Sequence, residues 1–418
     1  MSTPRLQLTF GDVRDKRLQT PNDFVSHMVE HIAWRMGCAV DLGWPDENWP
    51  LLGRTLGDRI RSFAAHGTAA AALGMIDDGS AEVLIRLNTA PQLQIQAAAP
   101  VDPKWFLTSR CEQLPSGQPL VELLDGLSEG LGAEIRILVC TFEDPHHTWE
   151  AVFRAVGTAL SRMFTPLCRT EAIAASPEKG SSGNDITVIL RSTRRCKIIR
   201  RTAESELSVG VDFRAQRSFS FRLEGTAVKR CLPSDALKGL QHLLQSLADK
   251  GGFSLQTTFR SKALGSRHVL LEDTGMVIGR ALQEVLVQRM EAVGANGAGS
   301  SLRRPEDLET QDIRVGVSVE GRKFWRFVPL DSDSETLKRR LVIGHTVFGG
   351  LFSEDLDDFL DGLSWGLGCS LVVHIKRLPP PEQAWGMIFR HLGEALHEVF
   401  EVNPLRRGLP PGVKANLS

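Results

Sequence analysis

The chain has 418 residues, 42% of them hydrophobic and 24% charged, and a formal net charge of −1 at pH 7. At roughly 100–200 residues per domain, that length suggests two to four domains. The near-zero charge excludes a global electrostatic pull toward nucleic acid or an anionic membrane, and the absence of tyrosine excludes tyrosine-based chemistry.

Apolar residues at helical spacing predict helices over 22–36 and 50–64. AEVLIRLN (81–88) is rich in β-branched residues that alternate with polar ones, so it reads as a strand. A helix over 119–131, a strand EIRILVCTF (134–142) and a helix over 147–163 follow. The polar, Gly/Ser-rich stretch ASPEKGSSGND (175–185) reads as a linker. Beyond it come a strand ELSVGVDF (206–213), helices over 235–250 and 273–290 and a strand IRVGVSV (313–319). A helix over 354–366, a strand SLVVHI (370–375) and a helix over 384–400 complete the series. Interleaved strands and helices imply helices packed on sheets, an α+β architecture.

The chain also repeats itself. LLDGLSEGLGAEIRI (123–137) matches FLDGLSWGLGCSLVV (359–373), and at the same spacing AVFRAVGTALSRMF (151–164) falls on MIFRHLGEALHEVF (387–400). Earlier segments pair in the same order. DFVSHMVEHIAWRMGCAV (23–40) pairs with KGLQHLLQSLADKGGFSL (238–255), and LLGRTLGDRI (51–60) with VIGRALQEVL (277–286). These matches define a tandem duplication, with domain 1 at 1–180 and domain 2 at 185–418. A weaker match between EDTGMVIGRAL (272–282) and EAVFRAVGTAL (150–160) divides each domain into two related half-units.

The chemistry concentrates in EDPHHTWEAVFRA (143–155). His146 and Glu150 are four residues apart and His147 and Glu150 three apart, so either pair can share a helix face, while the two histidines diverge by roughly 100°. Imidazole plus carboxylate suits Mn, Fe, Zn or Ni rather than Ca. The competing reading is a polar, solvated first helical turn. The repeat adds RHVLLEDTG (267–275), where His268 falls on His146, Glu272 on Glu150, and Val269 replaces the second histidine. His27 and His242 occupy equivalent places on their own helices.

These residues resemble the imidazoleglycerol-phosphate dehydratase family, carried twice and nearly throughout the chain. DFVSHMVEHIA (23–33) resembles the family's first helix, and HHTWEAVFRA (146–155) its later metal helix, with Arg154 where the family has Lys. HVLLEDTG (268–275) resembles the first metal helix, and RTAESELSV (201–209) the N-terminal strand with its active-site glutamate at Glu206. EGRKF (320–324) resembles the G-R-P segment through Arg322, and SPEKG (176–180) and LPPGVKANL (409–417) resemble the terminal tail through Lys179 and Lys414.

The resemblance implies two tandem domains, each of two α/β pseudo-repeats with helices against four-stranded sheets. It implies a manganese-dependent lyase of histidine biosynthesis that dehydrates imidazoleglycerol phosphate in a homo-oligomer, without nucleic acid or membrane. The implied metal ligands are His27, His146, His147, Glu150, His242, His268 and Glu272, with Glu206, Glu150 and Glu272 handling the reaction. Arg322, Lys179, Lys414, Arg154 and Arg390 would hold the phosphate.

The departures are complementary. In domain 1, GWPDENWPLLG (43–53) has no histidine where the first metal helix should be, Ala90 replaces an arginine, and Glu122 stands for a helix histidine. In domain 2, Glu382, Gln383 and Gly386 occupy the His-His-x-x-Glu positions, and Asp358 replaces the helix histidine. One composite site is therefore expected, with His146, His147, Glu150 and Lys179 from domain 1 and the remainder from domain 2. Two other readings stay open: a catalytically impaired assembly module of the same fold, and a metal enzyme for another small phosphorylated substrate.

The remaining features have plainer readings. Seven cysteines, widely spaced and without a Cys-x-x-Cys pair, indicate neither a zinc ribbon nor a disulfide framework, and free thiols fit a reducing cytoplasm. The start MSTPRLQLTF lacks an apolar signal core, and no apolar run approaches the ~20 residues of a membrane span. The basic stretch RSTRRCKIIRR (191–201) reads as a solvated strand face, and His66, His345, His374, His391 and His397 as surface or packing groups.

Overall fold

The computed structural model describes residues 4–141, 143–166, 185–214, 217–225, 232–261 and 266–412. The chain divides into two compact units. Unit 1 comprises Met1–Arg169 with Leu302–Gln311, and unit 2 comprises Thr170–Ser301 with Asp312–Ser418.

Unit 1 runs β1 (Arg5–Phe10), β2 (Lys16–Gln19), α1 (Asp23–Met36), β3 (Cys38–Gly43) and α2 (Trp49–Arg61). It continues with β4 (Ala69–Ile76), β5 (Gly79–Leu87), β6 (Gln92–Ala97), α3 (Pro103–Thr108), α4 (Gln118–Leu131), β7 (Ala133–Val139) and α5 (Pro145–Phe164). In the first half, β3 lies between antiparallel β1 and parallel β2. In the second, β7 lies between antiparallel β5 and parallel β6, with β4 added at the edge beside β5.

Unit 2 runs β8 (Ile186–Arg191), β9 (Arg195–Arg201), β10 (Ser205–Asp212), β11 (Phe219–Glu224), α6 (Ser234–Gly251), β12 (Ser254–Ser261), α7 (Arg267–Ala292) and β13 (Ala298–Ser300). A short helix, α8 (Asp307–Thr310), belongs to unit 1. Unit 2 resumes with β14 (Ile313–Val319), β15 (Phe324–Pro329), α9 (Ser334–Leu341), β16 (Thr346–Val347), β17 (Leu351–Phe352), α10 (Ser353–Leu367), β18 (Cys369–Ile375) and α11 (Pro381–Val399). Its two main sheets repeat the same motif. β12 sits between antiparallel β10 and parallel β11, and β18 between antiparallel β14 and parallel β15. The quarter-repeats read from the sequence are thus four copies of strand–strand–helix–strand–helix, and the architecture is α+β.

The helices pair across the halves. In unit 1, α1 packs on α5 and α2 on α4; in unit 2, α6 packs on α11 and α7 on α10. The first helix of one half therefore meets the second helix of the other. Two of these seams are built on glycine. Gly53, Gly57, Gly126 and Gly130 line α2/α4, and Gly275, Gly279, Gly362 and Gly366 line α7/α10. A Cβ at Gly366 would lie 1.9 Å from the Met276 carbonyl oxygen, so these backbones touch where side chains would otherwise stand. α1/α5 is filled mainly by side chains, with Val25, Met28, Ile32, Val152 and Val156 all buried. At about 25 cal/mol per Å² of apolar area removed from water, such burial holds the helices in place.

Candidate functional site

The helix that carries His-His-x-x-Glu is started by its own sequence. The Asp144 side chain caps α5 by accepting from the His146 backbone N–H at 2.8 Å. Pro145 supplies the fixed φ of the first helical residue and lacks the N–H that would go unpaired there. His146 and His147 thus sit in the first turn and Glu150 one turn in. The adjacent Trp149 is fully buried and stacks on Phe106 of α3, with ring centroids 4.4 Å apart, which locks the rotation of this turn. On the partner helix, Asn22 caps α1 by accepting from the Phe24 and Val25 N–H groups, and His27 and His31 follow one turn apart on the face toward α5.

These two helices bring three imidazoles onto one carboxylate. Glu150 Oε1 lies 2.8 Å from His27 Nε2, 2.9 Å from His146 Nε2 and 3.6 Å from His31 Nε2, and the His27 and His31 Nε2 atoms are 3.2 Å apart. The Glu150 side chain is fully buried and that of His31 is 1% exposed. Outer carboxylates complete the arrangement. His27 Nδ1 is 3.1 Å from Glu30 Oε2, Glu30 also holds Lys16, and His146 Nδ1 is 2.6 Å from Glu112 Oε1.

The electrostatics follow from burial set against neighbours. Burial would raise the Glu150 pKa, but hydrogen bonds from His146, His27 and His31 outweigh it and hold the carboxyl far below its usual range. Burial alone would likewise raise Glu30, yet His27 and Lys16 bring it down to about 2. Burial disfavours the charged form of His27, and Glu150 and Glu30 overcome that to raise its pKa. Burial drives His31 down to about 3, against the pull of Glu150, so it is a neutral ring.

This donor set fits a divalent transition metal. His27 and His146 each face a carboxylate oxygen with both ring nitrogens. A neutral imidazole has one N–H and one lone pair. Without an ion, a neutral ring could donate to only one of its two carboxylates. With an ion, each Nδ1–H donates to its outer carboxylate and each Nε2 lone pair is left for the metal, the usual arrangement of a ligating histidine. The ligand atoms of His27, His31 and Glu150 lie within 4.8 Å of one another, close enough to share one ion.

His147 diverges from this cluster, as its helix position requires. Its Nδ1 bonds Asp78 in the β4–β5 turn, its Nε2 is 3.7 Å from Asp77 Oδ2, and the Asp78 hydrogen bond raises its pKa.

Unit 2 places its candidates differently. His268 and Glu272 lie on α7, whose partner α10 supplies Asp358. His268 Nδ1 is 2.5 Å from Asp358 Oδ2, and its Nε2 is 3.7 Å from Glu272 Oε2. The His268 side chain is 56% exposed, and the Asp358 hydrogen bond raises its pKa. Val269, at the position of His147, packs against the hydrophobic core. His242 is exposed on α6, which packs on α11 rather than α7, so unit 2 does not bring it beside His268. On α11, Glu382 accepts from the Phe348 N–H at 3.0 Å, Gln383 is exposed, and a Cβ at Gly386 would meet the Phe348 ring at 3.9 Å.

The remaining expected residues scatter. Glu206 on β10 pairs with Arg201 at 2.9 Å and Arg260 at 3.6 Å. Arg322 is exposed in the β14–β15 loop. Arg390 pairs with Glu394 one turn along α11. Arg154 is buried, 1% exposed, and its charge adds to the lowering of the His31 pKa. Lys179 and Lys414 lie outside the described residues. Sequence reasoning missed His31, Glu30 and Glu112. The four-residue spacing of His27 and His31 could have revealed the first; nothing local marks Glu112, which is distant in sequence.

A domain of two strand–strand–helix–strand–helix halves, with histidines and a glutamate gathered between crossed helices, now stands against known proteins. No family model matches the chain. It is 24% identical over 224 residues to the imidazoleglycerol-phosphate dehydratase of Methylorubrum populi, which covers 54% of this chain and all of that one. It is 24% identical over 218 residues to the enzyme of that name from Lachnoclostridium phytofermentans, covering 52% of this chain and 95% of that one. It is 22% identical to the histidine biosynthesis bifunctional protein HisB of Legionella pneumophila (strain Lens), of whose length it spans about half, 51%. Among solved structures, imidazoleglycerol-phosphate dehydratase from Staphylococcus aureus N315 aligns at 18% identity and a TM-score of 0.34, over 47% of this chain and 94% of that one. The chain is imidazoleglycerol-phosphate-dehydratase-like, and with single-domain relatives covering about half of it, its two halves are a diverged tandem duplication of such a domain.

Proposed function

We propose that the chain is a metal-dependent lyase of the imidazoleglycerol-phosphate dehydratase type, acting in histidine biosynthesis on a small phosphorylated imidazole substrate. The observation that carries this is the convergence of His27, His31 and His146 on the buried Glu150, with Glu30 and Glu112 behind two of the rings. A bound divalent ion, manganese or another transition metal, would act as a Lewis acid on the substrate. His27, His146 and Glu150 would hold it, and Glu30 and Glu112 would keep each Nδ1 protonated so that each Nε2 lone pair is free to bind. Domain 2 is proposed to serve the same chemistry, with His242, His268 and Glu272 as ligands and Glu206 handling the proton. His147 would join the ligands, and Arg322, Lys179, Lys414 and Arg390 would bind phosphate, while the buried Arg154 is not available to it. The domains are taken as 1–180 and 185–418, working in a cytoplasmic homo-oligomer; among the described residues no helix is long and apolar enough to cross a membrane.

The test is growth without histidine of a bacterium lacking its own dehydratase and expressing this chain. Growth that is lost in E150Q supports the proposal. A second reading, an assembly module of the same fold, draws on the α6/α11 seam, where Glu382, Gln383 and Gly386 carry no metal-binding pattern. Failure to grow, with no metal in the purified protein, would favour it. Sharing of one site by the two domains is tested by metal load. E150Q and E272Q should each empty the site, and independent loads would separate the domains.

A further inference from the structure

We propose that His31 is itself a metal ligand, so that the inward face of the ion is supplied by His27, His31 and Glu150. The inference rests on the proposed metal centre and adds a residue to it. These three side chains alone place their ligand atoms within 4.8 Å of one another in unit 1, among the described residues. His146 reaches the same Glu150 oxygen but is not one of the three. Metal–nitrogen and metal–oxygen bonds of about 2.0–2.2 Å at tetrahedral angles put neighbouring donors roughly 3.3–3.6 Å apart. Of the separations here, 3.6 Å lies at the top of that range and 2.8 and 3.2 Å lie below it, so an ion would draw the three donors slightly apart.

The contact between the two Nε2 atoms points the same way. At 3.2 Å, one nitrogen must donate to the other or both must face a cation. His31 cannot turn outward to avoid the choice, because it is 1% exposed and its ring lies 4.4 Å from that of His27, tilted by 57°.

The duplication supplies an independent observation. In domain 2 the place of His31 is taken by Ser246, on α6, and the place of Glu150 by Gly386, on α11. Helix α6 packs on α11 as α1 packs on α5. His242 is present there, exposed, so the copy without the glutamate also lacks the second histidine while having the first. The second histidine and the carboxylate it faces occur together in one copy and are both absent from the other.

The experiment uses the full chain and cobalt(II) as probe. Cobalt affinity is measured by competition with a chelator, alongside the visible d–d spectrum, for the wild type, H31Q and H31S, with folding of each checked by metal-free thermal unfolding. Loss of a ligand should weaken affinity by more than the roughly 10–100-fold that a residue behind the ligands costs, and should change the spectrum. A smaller loss, or an unchanged spectrum, overturns the proposal. Should both variants fail to fold, H146A leaves position 31 untouched. X-ray absorption on its cobalt complex should count two imidazoles, and one would overturn the proposal. If E150Q loses cobalt while H31Q keeps it, His31 alone is excluded and the metal centre stands. If the wild type binds no divalent metal, both fall.

Discussion

Two seams in this molecule carry the same motif and treat it in opposite ways. On α5, Glu150 is sealed from solvent and ringed by imidazoles from α1 and from its own helix. On α7, Glu272 is 36% exposed and His268 56% exposed, and the facing helix offers Asp358, with Asp355 further off. The backbones explain part of the difference. α7 and α10 touch through Gly275, Gly279, Gly362 and Gly366, so this seam is closed by main chain, the Glu272 carbonyl included, and leaves the motif's side chains outside it. α1 and α5 approach closely at Gly157, where a Cβ would lie 2.9 Å from Ile32 Cα, and nearer the start of α5 a buried carboxylate and two histidines fit between them. A ligand set is easy to lose from a seam that does not need it for packing, and hard to lose from one where removing a partner strands a buried charge, at roughly 3–5 kcal/mol.

The contrast can be broken most directly at Glu150. E150Q should weaken divalent-metal binding by more than about 100-fold, beyond what a supporting residue costs. A metal at a hundred times its Kd stabilises the native state by about 2.7 kcal/mol, and a thermal melt should show that gain in the wild type and not in E150Q. An equal gain in both would remove Glu150 from the centre. The seam of α7 and α10 should instead be sensitive to volume. A Cβ at Gly366 would meet the Met276 carbonyl oxygen at 1.9 Å, so G366A should destabilise the chain near the upper end of the roughly 1–3 kcal/mol for overpacking. Denaturant titration measures it, and a neutral result would mean the helices can separate.

Smaller effects sharpen the comparison. Glu112 reaches only His146 Nδ1 among these ligands, and E112Q should weaken metal binding about 10–100-fold with no change in fold. At the open seam, H268A should cost no more than about 1 kcal/mol, as exposed ion pairs do. Its pH dependence has a definite sign. The hydrogen bond to Asp358 raises the His268 pKa above 6.5. The stability it contributes is therefore fully present below pH 6.5 and lost as pH rises through the folded-state pKa. The gap in melting temperature between wild type and H268A should shrink toward alkaline pH; a gap that grows would contradict the pairing.

Much of this was legible in the sequence because the signals are local. The spacing of His146 and Glu150 sets their shared face, and the duplicated segments delimit the repeats. The crossing of helices between halves was not, since it is decided by contacts between residues more than a hundred positions apart, such as His27 and Glu150. Periodicity also could not tell that His31 faces Glu150 rather than the sheet, or that Arg154, carried over as a phosphate ligand, is buried beside His31. His374, read as a surface or packing group, is fully buried on β18.

One further feature bears on how this protein can be taken apart. Unit 1 is not a continuous stretch of chain, because Leu302–Gln311 belongs to it. There the Ala71 N–H donates to the Arg303 carbonyl at 2.9 Å, and Arg162 donates to the Leu302 carbonyl at 2.8 Å. Ala71 lies on β4, the outermost strand of its sheet. A fragment cut at the linker would keep His27, His31 and His146 but bare that strand. Unpaired N–H and C=O groups along a sheet edge are a template for pairing with another chain, so the excised domain would be prone to aggregate for reasons unrelated to its chemistry.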